Sequence, residues 1–521
     1  MSVARTALTQ EAAVSKSEFF GHPAGLMTLF FTELWERFSY YGMRALLVLY
    51  MVAKPENGGL GYSTAKAAFI YGLYTSSVYL VSMPGGWAAD SFLGGRLAVL
   101  IGGVIIALGH FSLAFESQTF FFTGLVLIVL GTGLLKPNIS AMVGGLYDEK
   151  DPRRDGGFSI FYMGINTGAF IAPLVCGFLA QSDAFRSFIA ARGLNPNGSW
   201  HWGFAAAGVG MVLGLTQYVV GRERLASVGN KPRQKDGATP SSLVGFFAYL
   251  GVTGALFGAV FGLQKAWEFS VAQASGVGLE LPVKIGFVSV VAGIALAVIW
   301  QYVKTFPTEQ IKRLCAIPFF LVAGIMFWSV FEQAGSSLNL FADKLTDCSV
   351  FGLSFPSSYF QSLNSLFIIL LAPLFSLMWV KWGDRQPSSP VKFVVGIVFA
   401  GLGFLLAALG VGVSDGAKVG PGWLVGVYFL HTVGELCLSP VGLSTMTKLA
   451  PAKLGGLVMG VWYLTLSIGN YVGGLIGGHF DETNPASVTS LFNTVALTAI
   501  GVAVVAAIAS PFVRKLMGGV K

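Results

Sequence analysis

"FFTELWERFSYYGMRALLVLYMV", Phe30 to Val52, is long enough to cross a bilayer, yet it carries Glu33, Glu36, Arg37 and Arg44. About twenty apolar residues span the hydrocarbon layer, and a charge placed there against lipid is costly. On a helix, steps of three, four, seven and eleven stay on one face. Glu33, Glu36, Arg37, Tyr40 and Arg44 therefore form one stripe, which must face a bundle interior or a wet cavity. Two carboxylates three residues apart, with an arginine beside them, need not both ionise. Crowding and desolvation raise a carboxylate pKa and an arginine lowers it, so such a group is suited to taking up and releasing a proton.

The rest of the chain sets the same context. Of its 521 residues 54% are hydrophobic and only 11% charged, against roughly 25% charged in soluble domains. The 43 Phe and 68 Gly suit packed transmembrane helices with small-residue contacts. The expected fold class is an all-α polytopic membrane protein. The net charge of +8 sits in short links between apolar runs, without the aromatic interleaving of a nucleic-acid surface. The four Cys, at 176, 315, 348 and 437, show neither metal spacing nor a disulfide framework. The first twenty residues lack a signal-peptide core, so the first apolar helix is expected to do the targeting and stay in the protein.

Hydropathy predicts spans near 24–52, 63–88, 95–115, 119–145, 157–180 and 200–220, then a polar stretch 221–242. Two more fall near 243–266 and 283–303, and six near 312–341, 356–380, 390–412, 421–447, 455–478 and 488–512. The segment 268–282 reads as a turn or broken helix. The sum is fourteen helices: a six-helix bundle (1–220), a linker with two additional helices (221–311) and a second six-helix bundle (312–521). The middle pair carries no motif and is expected to face lipid, outside any transport path. Basic links such as "YDEKDPRRDGG" (147–157) and "KTFPTEQIKR" (304–313) alternate with "ESQT" (116–119) and "FDETNP" (480–485), which contain no Lys or Arg. By the positive-inside bias both termini are expected in the cytoplasm. The halves echo each other at Asp90 and Arg96 in "GGWAADSFLGGRLAV" and at Asp384 and Arg385 in "WVKWGDRQPSSPVKF". An Asp–Arg turn repeated in two halves suits latches in a transporter that rocks around a central site.

Other spans hold single polar groups: Lys136 before Pro137, Glu332 one turn after Trp328, Glu435 one turn after His431, and Asn166 and Asn364. His431 reads as a neutral core histidine. The set suits a ligand with separated charges. Arg44 and Lys136 can hold a carboxylate, Glu435 an ammonium, and the two asparagines amide groups, with Tyr40, Tyr41, Tyr79, Trp328 and Trp462 lining side-chain pockets. No Walker-type loop is present, so a concentrating carrier of this kind would use an ion gradient, and the intramembrane acids favour H⁺ over Na⁺. No nucleophile–base pair suggests an enzyme.

"ELWERFSYYG" (33–42), "GGWAADSFLGGR" (85–96) and "FSIFYMGINTGAF" (158–170) resemble motifs of the proton-dependent oligopeptide transporter family, within the major facilitator superfamily, and of its bacterial members in particular. Thr167 departs mildly from the third motif, where an apolar residue is more usual. The resemblance covers almost the whole chain, including the two extra helices. It implies import of di- and tripeptides with protons by alternating access in a bacterial cytoplasmic (inner) membrane. No cofactor beyond the coupling proton and no obligate protein partner are expected, the monomer sufficing. By motif position Glu33, Glu36 and Arg37 resemble a proton-linked cluster, and Arg44 and Lys136 the groups facing the peptide carboxylate. Glu332 resembles an acid that pairs with Lys136 and couples protonation to movement, and Glu435 the acceptor of the amino group. Tyr40, Tyr79, Asn166, Trp328, Asn364 and Trp462 resemble pocket residues. Related plant nitrate carriers often lack the complete ExxER motif, so its presence favours peptide. The alternatives are a proton-coupled carrier of another solute (nitrate, amino acid or drug) and a peptide sensor that moves nothing.

Overall fold

The computed structural model describes residues 18–148, 151–225, 228–232, 240–275, 301, 304–414, 417–451 and 454–520. Long helices dominate, and ten of the described ones are long and apolar enough to cross a membrane. The charged opening stretch forms α1 (Gly25–Val52), followed by α2 (Thr64–Leu80) and α3 (Ser82–Ala88). Then come α4 (Gly95–Leu113), α5 (Gln118–Gly145), α6 (Arg154–Gln181), the short α7 (Asp183–Ala190) and α8 (Ser199–Gly221). After the linker runs α9 (Ser242–Ser275). The second half contains α10 (Thr308–Phe331), the short α11 (Ser337–Lys344), α12 (Ser362–Trp382), α13 (Ser389–Gly412), α14 (Gly422–Leu449), α15 (Gly455–Gly477) and α16 (Pro485–Leu516). Two antiparallel two-residue ladders, Glu18–Phe19 with His22–Pro23 and Ser349–Val350 with Leu353–Ser354, are minor additions.

Local chemistry sets several boundaries. Ser63 caps α2 by accepting from the Lys66 amide, and Asn484 caps α16 ahead of Pro485. Among the described residues, six helices contain a proline beyond their first turn, including Pro137 in α5 and Pro440 in α14. Each removes one backbone N–H bond and leaves a point of bending. Pro137 follows Lys136 directly and Pro440 lies just beyond Glu435, so both flex points adjoin charged side chains.

Of the segment 268–282, read as a turn or broken helix, the residues to Ser275 continue α9 past its expected end, and the rest lies outside the described residues. The expected span 283–303 lies, apart from residue 301, outside the described residues. In the first half α1 packs on α6 and α8, and α4 on α5 and α8. In the second, α13 packs on α14 and α16, and α10 on α15. The helix α9 leans on α3 and the turn after it, and the Tyr249 hydroxyl donates to the Leu130 carbonyl at 2.6 Å. Much of its apolar surface stays exposed.

The halves meet along α2 against α15 and α6 against α12. At the first seam Gly72 and Gly474 touch backbone to backbone: a Cβ on Gly474 would lie 2.6 Å from the Gly72 Cα. Nearby the Ser76 and Ser467 hydroxyls are 2.9 Å apart. At the second, Gln181 donates to Ser357 at 3.0 Å and Ser362 to the Phe170 carbonyl at 2.7 Å. The Asn339 amide donates to the Ala45 carbonyl at 2.9 Å. These bonds lie midway through the helices or toward the face opposite the 221–241 linker. Among the described residues no hydrogen bond joins the halves at the linker face. The two halves therefore close on the far face.

The glycine contact generates a test. In a background without other cysteines, Ser76→Cys with Ser467→Cys cross-links readily on mild oxidation. Adding Gly474→Leu forces the backbones apart, an overpacking cost of about 1–3 kcal/mol, and lowers the cross-linked fraction several-fold. Equal fractions in gel-shift assays would show that the seam does not depend on this contact.

Candidate functional site

The charged stripe of α1 is buried. Glu33, Glu36, Arg37 and Arg44 are each no more than 6% exposed. The Arg37 Nε donates to the Glu36 carboxylate and forms an ion pair with the Glu33 carboxylate at 3.1 Å. One guanidinium thus holds both acids on one helical face, and its charge lies near the Tyr40 ring, 5.3 Å from the centroid. The second oxygens of both acids and one terminal nitrogen of Arg37 have no hydrogen-bond partner, although buried. Buried polar atoms left this way are costly and mark places where a proton, water or ligand is expected to act.

About two turns further along α1, Arg44 reaches the other half. Its Nη2 pairs with the Glu332 carboxylate and its Nε donates to the Tyr71 hydroxyl at 2.6 Å. Tyr41 adds a ring 5.7 Å from the guanidinium. Glu332 stands where α10 tightens into a 3-10 turn, Glu332–Gly335. A Cβ on Gly335 would lie 1.9 Å from the Tyr71 hydroxyl oxygen. The missing side chain is what lets α2 approach this turn. Three elements from two halves thus converge on one ion pair with 7% and 6% side-chain exposure.

Lys136 departs from the expectation. It does not pair with Glu332. Its ammonium lies 3.9 Å from the centre of the Tyr79 ring, while Arg44 occupies the Glu332 carboxylate. Glu33, Glu36, Arg37 and Glu332 all remain within Coulombic reach of Lys136. Lysine is a point charge on a flexible stem, whereas the arginine fork presents several donors to carboxylate and tyrosine together. That difference accounts for the partner chosen.

The second half supplies Glu435, whose carboxylate accepts from the Asn364 amide at 2.9 Å. Asn364 also donates to the Thr432 hydroxyl at 3.0 Å. The Asn166 amide donates to the Tyr162 carbonyl of its own helix. Trp328 is buried with its indole N–H unpartnered, and Trp462 packs its ring 5.9 Å from Phe393. His431 bonds the Ala400 carbonyl at 3.1 Å and lies between Phe331 and Phe404, facing the core.

The first Asp–Arg turn also differs from expectation. Asp90 is exposed on a π-turn, Ala89–Leu93, and forms no ion pair with Arg96. Arg96 instead donates to the Val228 carbonyl at 2.7 Å, and its amide donates to the Gly229 carbonyl at 2.8 Å. It fastens the linker to the first half. In the second half Arg385 is exposed, and the side chain of Asp384 lies outside the described residues. Sequence reasoning missed Tyr71. It reads as one more apolar-face tyrosine, and the only signal was its company with Tyr74 and Tyr79 on one helix.

Among the described residues no group of three or more His, Cys, Asp or Glu is placed to hold a metal ion. The arrangement suits charge exchange rather than covalent chemistry: paired acids and cations in a water-poor interior, with partners drawn from both halves.

Comparison with known proteins agrees with this geometry. A family model described as "POT family" matches residues 96–495. The peptide transporter YePEPT of Yersinia enterocolitica is 42% identical over 96% of each chain. A di-/tripeptide transporter of Lactococcus lactis subsp. cremoris is 37% identical over 97% of this chain and 99% of its own. A crystal structure of a mutant of the peptide transporter POT, in complex with alafosfalin, superposes with a TM-score of 0.80 at 39% identity, covering 98% of this chain and 99% of that one. With matches of this extent, the chain belongs to the POT family, as an all-α, multi-pass membrane transporter.

Proposed function

We propose that the protein imports di- and tripeptides together with protons by alternating access, and that Arg44 exchanges one carboxylate for another as it does so. The observation that carries this reading is the buried Arg44–Glu332 pair, which ties the two halves together beside the closed seam. With the termini in the cytoplasm, as the basic links favour, the far face is periplasmic and this conformation opens inward. The segments 1–220 and 312–521 then serve as the two moving bodies.

When Glu332 takes up a proton, its charge disappears and Arg44 loses its partner. A buried charge left alone is strongly destabilising, so the latch weakens and the far face opens. A peptide entering there supplies a new carboxylate to Arg44, with Lys136 as second cation. Its ammonium goes to Glu435, held in place by Asn364. Asn166 and Asn364 meet the amides, and Tyr40, Tyr41, Tyr79, Trp328 and Trp462 receive the side chains. After the far face recloses, proton loss toward the cytoplasm restores the Glu332 carboxylate. Glu332 then competes with the peptide for Arg44 and favours release inward. Glu33, Glu36 and Arg37 store a proton on the cytoplasmic side of this exchange, near Lys136. All of these groups come from one chain, so one chain is the transporting unit.

Two measurements test the reading. In tight liposomes, an inward proton gradient drives accumulation of labelled dialanine. The Glu33→Gln/Glu36→Gln variant loses that accumulation while remaining folded. Absence of uptake by the parent protein would reject the peptide assignment. Glu435→Gln removes a charged hydrogen-bond partner worth about 1.5–3 kcal/mol. It therefore weakens competition by dialanine roughly ten- to a hundredfold and leaves competition by N-acetyl-dialanine unchanged. An equal loss for both ligands would remove Glu435 from the ammonium site.

A further inference from the structure

The helix α9 carries no motif and leaves much of its apolar surface exposed, yet it drives one side chain into the first half. Tyr249 is fully buried, and its hydroxyl donates to the Leu130 carbonyl of α5 at 2.6 Å. The ring tip fits a notch at Gly133, where a Cβ would lie 2.7 Å from the Tyr249 oxygen and 2.5 Å from Val81 Cγ1. This seat is local. At the start of α9 a Cβ on Gly245 would lie 2.3 Å from the Phe92 Cβ. Further along, an apolar cavity of about 520 Å³ lies between Leu250 and Phe257 of α9 and Ile70 and Phe122 of the bundle. The peg touches a weakened stretch of α5. Pro137 has no N–H, so the Gly133 carbonyl lacks its bond within the helix. Gly85 packs over that carbonyl, since a Cβ there would lie 1.8 Å from the oxygen. The Asn138 side-chain amide donates to the Leu134 carbonyl at 2.7 Å. A helix with a missing rung takes the bend its neighbours impose. Lys136 sits on that bend, next to Pro137. Its ammonium rests over the ring of Tyr79, just before the Val81 that fills the other side of the notch.

We propose that Tyr249 is a positioning residue for Lys136: its hydroxyl holds the bend of α5, and with it the reach of the lysine. The inference rests on the role of Lys136 as second cation for the peptide carboxylate. A hydrogen bond from outside the helix draws the Leu130 carbonyl away from the α5 axis, on the turn that precedes the missing rung. Without it that carbonyl keeps only its ladder bond, and the bend has one restraint fewer. Lys136 then leaves its place over Tyr79 more often and meets the carboxylate less well. The helix α9 thus braces the transport path from outside without lining it. Tyrosine suits this task, because its stiff ring carries one donor across to a neighbouring helix. Phenylalanine fills the notch and leaves the bend free.

The test compares the parent, Tyr249→Phe and Tyr249→para-aminophenylalanine as full chains in lipid nanodiscs. The first variant keeps the ring without a donor, and the second restores a donor. Backbone hydrogen exchange, read by mass spectrometry, is faster in Tyr249→Phe at residues 131–139 of α5 by about two- to tenfold, the worth of one neutral hydrogen bond. It returns to the parent rate in the para-aminophenylalanine variant. If Tyr249 only anchored α9, protection would fall in α9 alone. Unchanged exchange at 131–139 therefore overturns the proposal. Binding supplies a readout that loss of packing would not move. Tyr249→Phe weakens competition by dialanine by up to about tenfold and leaves competition by dialaninamide, which has no carboxylate, unchanged. It adds nothing to the loss already present in Lys136→Gln, because the two changes act through one contact. An equal loss for both ligands, or additive losses, also overturns the proposal. If Lys136→Gln alone leaves dialanine competition intact, the carboxylate role of the lysine fails, and the exchange rates at 131–139 still decide for or against Tyr249 as the restraint on the bend.

Discussion

Among the described residues, one ion pair crosses between the halves of this protein. Arg44 comes from the first helix, and Glu332 from the point where α10 gives way to a 3-10 turn. Buried and hydrogen-bonded to Tyr71, the pair fixes the register of α1, α2 and α10 against one another. Removing one partner of such a pair costs about 3–5 kcal/mol. Moving a two-state equilibrium from 1:99 to 99:1 takes about 5.5 kcal/mol. One proton on Glu332 is therefore of the right size to reverse most of the preference for one conformation. No larger switch is required.

The rest of the architecture makes that exchange possible. Backbone contact between Gly72 and Gly474 and the Gln181–Ser357 bond close the far face around the pair. Gly335 brings the turn of Glu332 within reach of Tyr71. The acids of α1 share one arginine and keep unpaired oxygens, a store of titratable groups that does not bridge the halves. Glu435, steadied by Asn364, keeps the opposite charge on the second half. The ends of a zwitterion can thus report on the separation of the two halves.

The helical stripe of Glu33, Glu36, Arg37 and Arg44 was legible in the sequence because a 3.6-residue period places these residues together whatever the tertiary fold. The spans were legible for a similar reason, since hydropathy is additive along a segment. Partner choice was not. Whether Glu332 meets Lys136 or Arg44 depends on where α10 ends and on which cation has a fork that also bonds Tyr71, and neither is a property of spacing. Arg96 looked like half of an Asp–Arg latch because its neighbour in sequence is Asp90. In space it bonds the linker carbonyls of Val228 and Gly229. The continuation of α9 to Ser275 was obscured by polar and glycine residues that a helix end tolerates.

The central claim is that protonation of Glu332 releases the far face. Spin labels at Asn57→Cys and Phe351→Cys, exposed on far-face loops of the two halves, report its opening by double electron–electron resonance in lipid nanodiscs. In Glu332→Gln, which mimics the protonated acid, the account predicts a population at longer distance that is rare in the parent at neutral pH. Identical distance distributions in parent and variant would contradict it.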